Sequence, residues 1–92
     1  MVPPGINWPE VITSFASMKA SLERRMSENE NWSVNDIVTW FNMVRNFYIL
    51  QSEIYRLCDV TDLVNYEIIK TYAADMLQTM VDIIDRQIEL LH

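Results

Sequence analysis

The residues that interrupt helices are confined to one end of this chain. Its three prolines all lie within the first nine residues, and its single glycine is Gly5. Proline breaks a helix interior and glycine weakens one, so nothing after Pro9 opposes helix formation. Beyond that point, apolar residues recur every three or four positions, which is typical of amphipathic helices. We therefore predict an all-α protein.

The size of the chain limits how it can be stabilised. It has 92 residues and one cysteine, so an intramolecular disulfide is excluded. We predict a single helical domain over residues 1–92, held together by packing alone. A domain this small has marginal stability unless a partner contributes further buried surface.

The first helix is predicted over about residues 8–27, after an irregular N-terminal arm at residues 1–6. Asn7 is a favourable N-cap residue, and Glu10 follows three positions later as in a capping box. The apolar residues of this segment form one stripe, which predicts a helix with a single buried side.

The second helix is predicted over about residues 33–58. Ser33 as N-cap and Asp36 three positions later give its start signal, and Trp32 precedes the cap. This segment is the most aromatic part of the chain, and we interpret it as the central helix.

The third helix is predicted over about residues 62–91, and two interpretations of residues 58–61 remain open. Asp59 and Asp62 form a weak capping pattern there, which indicates either a tight turn or a kink in one continuous helix. A continuous helix from Ser33 to Leu91 would be about 88 Å long, and a single domain could not bury its apolar surface. We favour the turn, and hence a long antiparallel helical hairpin.

Both long helices carry two neighbouring apolar rows rather than one. A three-helix protein offers each helix about one buried arc, so part of these rows is expected to stay exposed in a monomer. An exposed apolar patch of this kind indicates a protein interface, and we predict a homodimer in which two hairpins form a four-helix arrangement. The predicted interface residues are Trp40, Phe47, Leu50, Ile54, Leu77, Val81, Ile84 and Ile88.

The charge of the chain favours some partners over others. Thirteen acidic and seven basic side chains give a formal net charge of −6, which repels nucleic-acid phosphates and anionic lipids. We therefore predict a protein partner with a basic surface, and neither direct nucleic-acid binding nor membrane binding. The basic cluster of Lys19, Arg24 and Arg25 is interpreted as a solvated helix side. The predicted acidic face consists of Asp75, Asp82, Asp85 and Glu89.

The sequence offers little for catalysis, and we predict no enzymatic activity, metal or cofactor. Its one histidine, His92, follows Glu89 in a Glu-x-x-His pattern, but a di-iron site needs that motif twice. The acidic pairs at Asp59 and Asp82 are interpreted as helix caps and solvated side chains, with a magnesium site as the alternative. Cys58 is interpreted as a buried thiol, with a crosslink between two copies as the alternative.

These patterns favour a small acidic protein-interaction module, acting as a stoichiometric inhibitor or adaptor. One form of this hypothesis is a phage or viral protein that binds a basic nucleic-acid-binding surface of a host protein. We expect a cytoplasmic protein, because the chain shows neither a signal peptide nor a membrane-spanning segment. The alternatives are a small-ligand-binding or metal-dependent helical enzyme and a structural subunit of a homo-oligomer. A cavity lined by tyrosine hydroxyls would favour the enzyme; the tyrosines are Tyr48, Tyr55, Tyr66 and Tyr72.

Overall fold

The computed structural model describes residues 5–28 and 31–91 and is helical almost throughout. Three α-helices follow one another along the chain: α1 (Trp8–Glu28), α2 (Val34–Tyr55) and α3 (Leu63–Leu91). A short 3₁₀ helix, Val60–Asp62, precedes α3. The predicted all-α fold with a long antiparallel hairpin is confirmed. Within the described residues, no helix combines the length and apolarity that a membrane crossing requires.

Local side-chain bonds start α1. The backbone N–H of Glu10 donates to Asn7 Oδ1 at 3.4 Å, and the Asn7 amide donates to the Glu10 carboxylate at 3.0 Å. At the same end, Trp8 Nε1 donates to Asp62 Oδ1 at 2.8 Å, across a long stretch of sequence. The start of α1 is therefore tied to the start of α3, and the two helices run side by side in the same direction. Residues 1–4 of the predicted arm lie outside the described residues.

The start of α2 is the capping box that the sequence predicts. The Asp36 N–H donates to Ser33 Oγ at 3.0 Å, and the Ser33 N–H donates to the Asp36 carboxylate at 3.1 Å. These two bonds satisfy donors that a helix start would otherwise leave unpaired.

The segment between α2 and α3 is a turn and not a kink. Helix α2 ends at Tyr55, three residues before the predicted end, and the chain reverses before the 3₁₀ helix. A second capping box stabilises the reversal. The backbone N–H of Thr61 donates to the Asp59 carboxylate at 2.9 Å, and the backbone N–H of Asp59 donates to the Asp62 carboxylate at 3.0 Å. The capping box that the sequence pattern at Asp59 and Asp62 weakly indicated is therefore present in the structure.

The central helix is α3, so the interpretation of α2 as the central helix was wrong. Helix α3 packs along both α1 and α2, whereas α1 and α2 touch each other over a short region only. It also supplies half of the buried apolar residues, which are Tyr66, Ile69, Ala73, Met76, Met80 and Ile83. Aromatic content did not identify the centre, because several α2 aromatic side chains are exposed.

Helices α1 and α2 complete the core from two sides of α3. Phe15 and Leu22 of α1 are fully buried, as is Val44 of α2. The Phe15 and Phe47 rings meet edge to face at 4.9 Å between centroids, which joins α1 to α2. The resulting molecule is a rod of 59 × 20 × 20 Å.

Replacing Ser33 with Ala should lower the free energy of unfolding by about 1 kcal/mol, because the Asp36 N–H loses its acceptor. Denaturant titration at a fixed protein concentration measures this change. Ser52→Ala is the matched control, since the Ser52 hydroxyl only donates to the Tyr48 carbonyl within α2. Its effect should stay within about 0.5 kcal/mol. Equal losses in both variants would show that the cap does not start α2.

Candidate functional site

Helix α1 covers only one side of the hairpin formed by α2 and α3. It contacts Phe47 of α2 through Phe15, and the Lys19 ammonium lies 5.7 Å from the centroid of the Tyr72 ring of α3. Val38 lies about half a turn around α2 from Phe47, and Val81 lies about half a turn around α3 from Tyr72. Val38 and Val81 therefore face away from α1, on the uncovered side of the hairpin.

This uncovered side is apolar, and we name it the open face. It consists of Val34, Val38, Phe41, Leu77, Val81, Ile84 and Ile88. Five of these side chains are substantially exposed: Val34 at 79%, Val38 at 51%, Phe41 at 36%, Val81 at 41% and Ile88 at 49%. Leu77 and Ile84 are partly buried at the seam between the helices. Contiguous apolar surface from two helices is typical of a protein interface.

At one end, the open face deepens into an apolar cleft of about 460 Å³. Trp32 is part of its wall, and the backbone N–H of Trp32 donates to the side-chain oxygen of Gln87 at 3.4 Å. The Arg25 guanidinium lies 4.7 Å from the centroid of the Trp32 ring and 3.2 Å from the Asp36 carboxylate. These contacts fix Trp32 between all three helices. The remaining lining residues are Asn31, Val34, Ile37, Ile84, Ile88, Leu90 and Leu91.

A buried polar pair holds the two helices of the open face in register. The Gln51 amide of α2 donates to the Tyr66 hydroxyl of α3, and both residues are buried. The Tyr66 ring also lies against the Tyr55 ring, at 5.0 Å between centroids. A slip of either helix would leave both polar groups buried without partners, which costs free energy. The Gln51–Tyr66 bond therefore fixes which α2 residues of the open face lie beside which α3 residues.

The turn end of the hairpin is occupied by capping interactions. Hydrogen bonds from Thr61 lower the pKa of Asp59, so this carboxylate is ionised at neutral pH. Burial raises the pKa of Cys58, and the nearby carboxylates of Asp62 and Asp59 raise it further. A thiol with a raised pKa is a poor nucleophile and a poor metal ligand at neutral pH.

The predicted acidic face is exposed on α3. Asp75, Asp82, Asp85 and Glu89 all lie at the surface, although Asp75 is 3.8 Å from Lys19 of α1. Asp82 accepts a hydrogen bond from Gln78 at 3.0 Å. Elsewhere, hydrogen bonds from Ser33, together with the Arg25 charge, lower the pKa of Asp36. On α3 the acidic side chains therefore lie outside the open face, on the stretch of helix surface between that face and the side that α1 covers.

The predicted interface residues are distributed over different environments. Leu50, Val81 and Ile88 are exposed, but Leu50 lies about half a turn around α2 from Phe41 and so outside the open face. Trp40, Phe47 and Leu77 pack partly against the core, Ile84 is partly buried, and Ile54 belongs to the core itself. The open face thus includes the four predicted residues of α3 and none of those predicted on α2.

The α2 part of the open face consists of Val34, Val38 and Phe41, which the sequence did not single out. Both apolar rows of α2 are similar in composition, so periodicity alone could not show which row packs against the core. Ile37 and Trp40 lie in the same turns as Val34 and Val38, so no local contrast in the sequence set the open-face residues apart.

Other predicted features lie apart from the open face. Lys19 pairs with Glu23 at 3.3 Å, Arg25 pairs with Asp36, and Arg24 is exposed.

Tyr66 is buried, Tyr55 lines a cleft at the turn, and Tyr72 lines another on α3. Tyr55 and Tyr72 thus line different clefts, while the Tyr55 ring lies against that of Tyr66. Across residues 5–28 and 31–91, no three carboxylate, thiol or imidazole groups are grouped so as to hold a metal ion. His92 lies outside the described residues.

Comparisons with known proteins give no relative. No protein-family model matches the chain, and neither a curated protein nor a solved structure is significantly similar to it. Function must therefore be argued from the open face and the acidic face.

Replacing Tyr66 with Phe should lower the free energy of unfolding by about 1 to 3 kcal/mol, because the buried Gln51 amide loses its partner. The double variant Gln51→Leu, Tyr66→Phe removes both polar groups and should recover part of the loss. Denaturant titration of the two single variants and the double variant gives the coupling energy. Tyr48→Phe, at an exposed tyrosine of α2, should change stability little. Strictly additive losses would contradict the proposed role of the pair.

Proposed function

We propose that this chain is a protein-interaction module without enzymatic activity, and that a second copy covers its open face. The observation that carries the proposal is the run of apolar side chains that α2 and α3 expose on the side away from α1. Burying apolar surface contributes about 25 cal/mol per Å², so covering this side favours association. Two hairpins joined in this way give a four-helix arrangement in which each long helix gains the second neighbour that it lacks.

Self-association leaves the acidic face available for another partner. Asp82, Asp85 and Glu89 are exposed on the outer side of α3, outside the open face, and stay exposed once that face is covered. A dimer carries two sets of these carboxylates, and each of its chains has a formal net charge of −6. Such a surface complements a basic groove, for instance the nucleic-acid-binding surface of a larger protein. In this proposal the dimer acts as a stoichiometric inhibitor or adaptor, of the kind that phages and viruses direct at host proteins.

The first prediction concerns self-association. Val81→Asp places a carboxylate in the middle of the open face, and two such charges would be buried in the dimer without cationic partners. Sedimentation velocity at micromolar concentrations should show a dimer for the unmodified chain. It should show a dissociation constant at least about 100-fold higher for the variant.

Val64→Asp is the matched control for this variant. Val64 lies on the same helix and is more exposed than Val81, but it faces away from the open face. The control should dimerise like the unmodified chain. Equal weakening by both substitutions would place the interface elsewhere, and a monomeric unmodified chain would refute self-association altogether.

The second prediction concerns the acidic face. Affinity capture from extracts of the source organism should recover a protein whose binding weakens steeply between about 0.1 and 0.5 M salt, because exposed charges are screened. The triple variant Asp82→Asn, Asp85→Asn, Glu89→Gln should bind the purified partner at least about tenfold more weakly.

The control for this variant removes the same number of charges elsewhere. Glu23→Gln, Glu28→Gln and Glu53→Gln are exposed positions on α1 and α2. If this control weakens binding as much as the acidic-face variant does, overall charge and not the acidic face attracts the partner. Capture that is insensitive to salt would contradict an electrostatic docking mode.

A further inference from the structure

We propose that the two copies pack with their hairpin turns at the same end, so that α2 of each copy lies against α3 of the other. This inference rests on the proposed function, because it describes how a second copy covers the open face. It specifies which residues meet across the interface, and it excludes the arrangement in which like helices pair.

The rod-shaped chain exposes enough surface for a second copy to cover an interface of standard size. The chain exposes 6502 Å², whereas a compact monomer of 10.9 kDa is expected to expose about 5,600 Å². The excess of about 900 Å² is close to the roughly 800 Å² that each partner loses in an interface of standard size. The radius of gyration reflects the same elongated shape, since it is 15.5 Å against about 12 Å for a compact chain of this length.

Contacts across the hairpin seam determine which residues lie at the same height. Gln51 bonds to Tyr66 near the turn, and Trp32 bonds to Gln87 at the other end. Between these two contacts the antiparallel helices place Val38 at the height of Val81, since each helix rises about 1.5 Å per residue. The same register places Arg45 at the height of Ala74.

The open face is not uniform along its length. Most of its exposed apolar side chains lie near Trp32, although Tyr48 and Leu63 are exposed on the same sides of α2 and α3 towards the turn. Exposed cationic residues lie midway, at Arg45 of α2 and Lys70 of α3. Lys70 lies 3.8 Å from Glu67 of its own helix. A second copy that places its own Trp32 end over the Trp32 end of the first therefore brings together the longest stretches of apolar surface.

Only the same-end arrangement does this with full overlap. The two-fold axis then runs along the helices, Val38 meets Val81 of the second copy, and Arg45 meets the small side chain of Ala74 of the second copy. In the opposite-end arrangement α2 meets α2, and Arg45 faces Arg45 of the second copy, which is unfavourable. An opposite-end dimer shifted to pair Val38 with Val38 overlaps over only part of the hairpin.

Disulfide crosslinking between single-cysteine chains distinguishes these arrangements. The background is Cys58→Ser, since the serine hydroxyl can still donate to the Ile54 carbonyl as the thiol does. Val38→Cys and Val81→Cys are introduced into separate full-length chains, one carrying a mass tag, and the two chains are co-expressed, purified and oxidised. A disulfide requires Cα atoms within about 7 Å, so a crosslink reports direct opposition across the interface.

The same-end arrangement predicts a mixed Val38→Cys to Val81→Cys product that exceeds the Val38→Cys self-product by at least about tenfold. A dominant Val38→Cys self-product in a dimeric protein would overturn the arrangement while leaving the proposed self-association intact. A Cys58→Ser chain that sediments as a monomer would instead refute the proposed function. A Val64→Cys chain is the control for crosslinks that form by random collision. If its crosslinked products were as abundant as the mixed Val38→Cys to Val81→Cys product, the proposal would be overturned.

Discussion

The fold depends on the burial of one side of α3. Ile69, Ala73, Met76 and Met80 of that helix are almost completely enclosed, and both α1 and α2 owe most of their packing to them. Since α1 and α2 barely touch, neither would hold its place without α3. The Trp8–Asp62 and Gln51–Tyr66 bonds then fix the position of each outer helix along α3. Hydrophobic burial packs the three helices together, and these polar contacts fix their positions relative to one another.

The same arrangement explains why the molecule exposes so much apolar surface. Two helices laid on a third give a rod whose hairpin has one covered side and one uncovered side. Val81 and Ile88 continue the apolar surface of α3 past its buried arc, and Val38 and Phe41 do so on α2. A chain without a disulfide and with a small core gains stability if this surface is covered. In the proposed dimer, assembly and stability would therefore be linked.

Local signals in the sequence predicted the helices well, whereas the packing between them was not predictable from one sequence. The caps at Ser33 and Asp59 involve side chains and N–H groups two or three residues apart, so their patterns could be recognised directly. The identity of the central helix depends on contacts between distant segments, and both long helices have two apolar rows. The burial of Gln51 was also unpredictable, because glutamine is usually exposed and its partner lies on another helix. The predicted interface residues of α3 lie on the open face, whereas those of α2 lie on other sides of that helix.

The central claim is that a second copy covers the open face, and small-angle X-ray scattering over a concentration series tests it most directly. The forward scattering should give twice the 10.9 kDa chain mass at micromolar concentrations and above. The radius of gyration should rise only slightly above the 15.5 Å of one chain, because the copies pack side by side along the rod. A mass of one chain at every concentration would contradict the account.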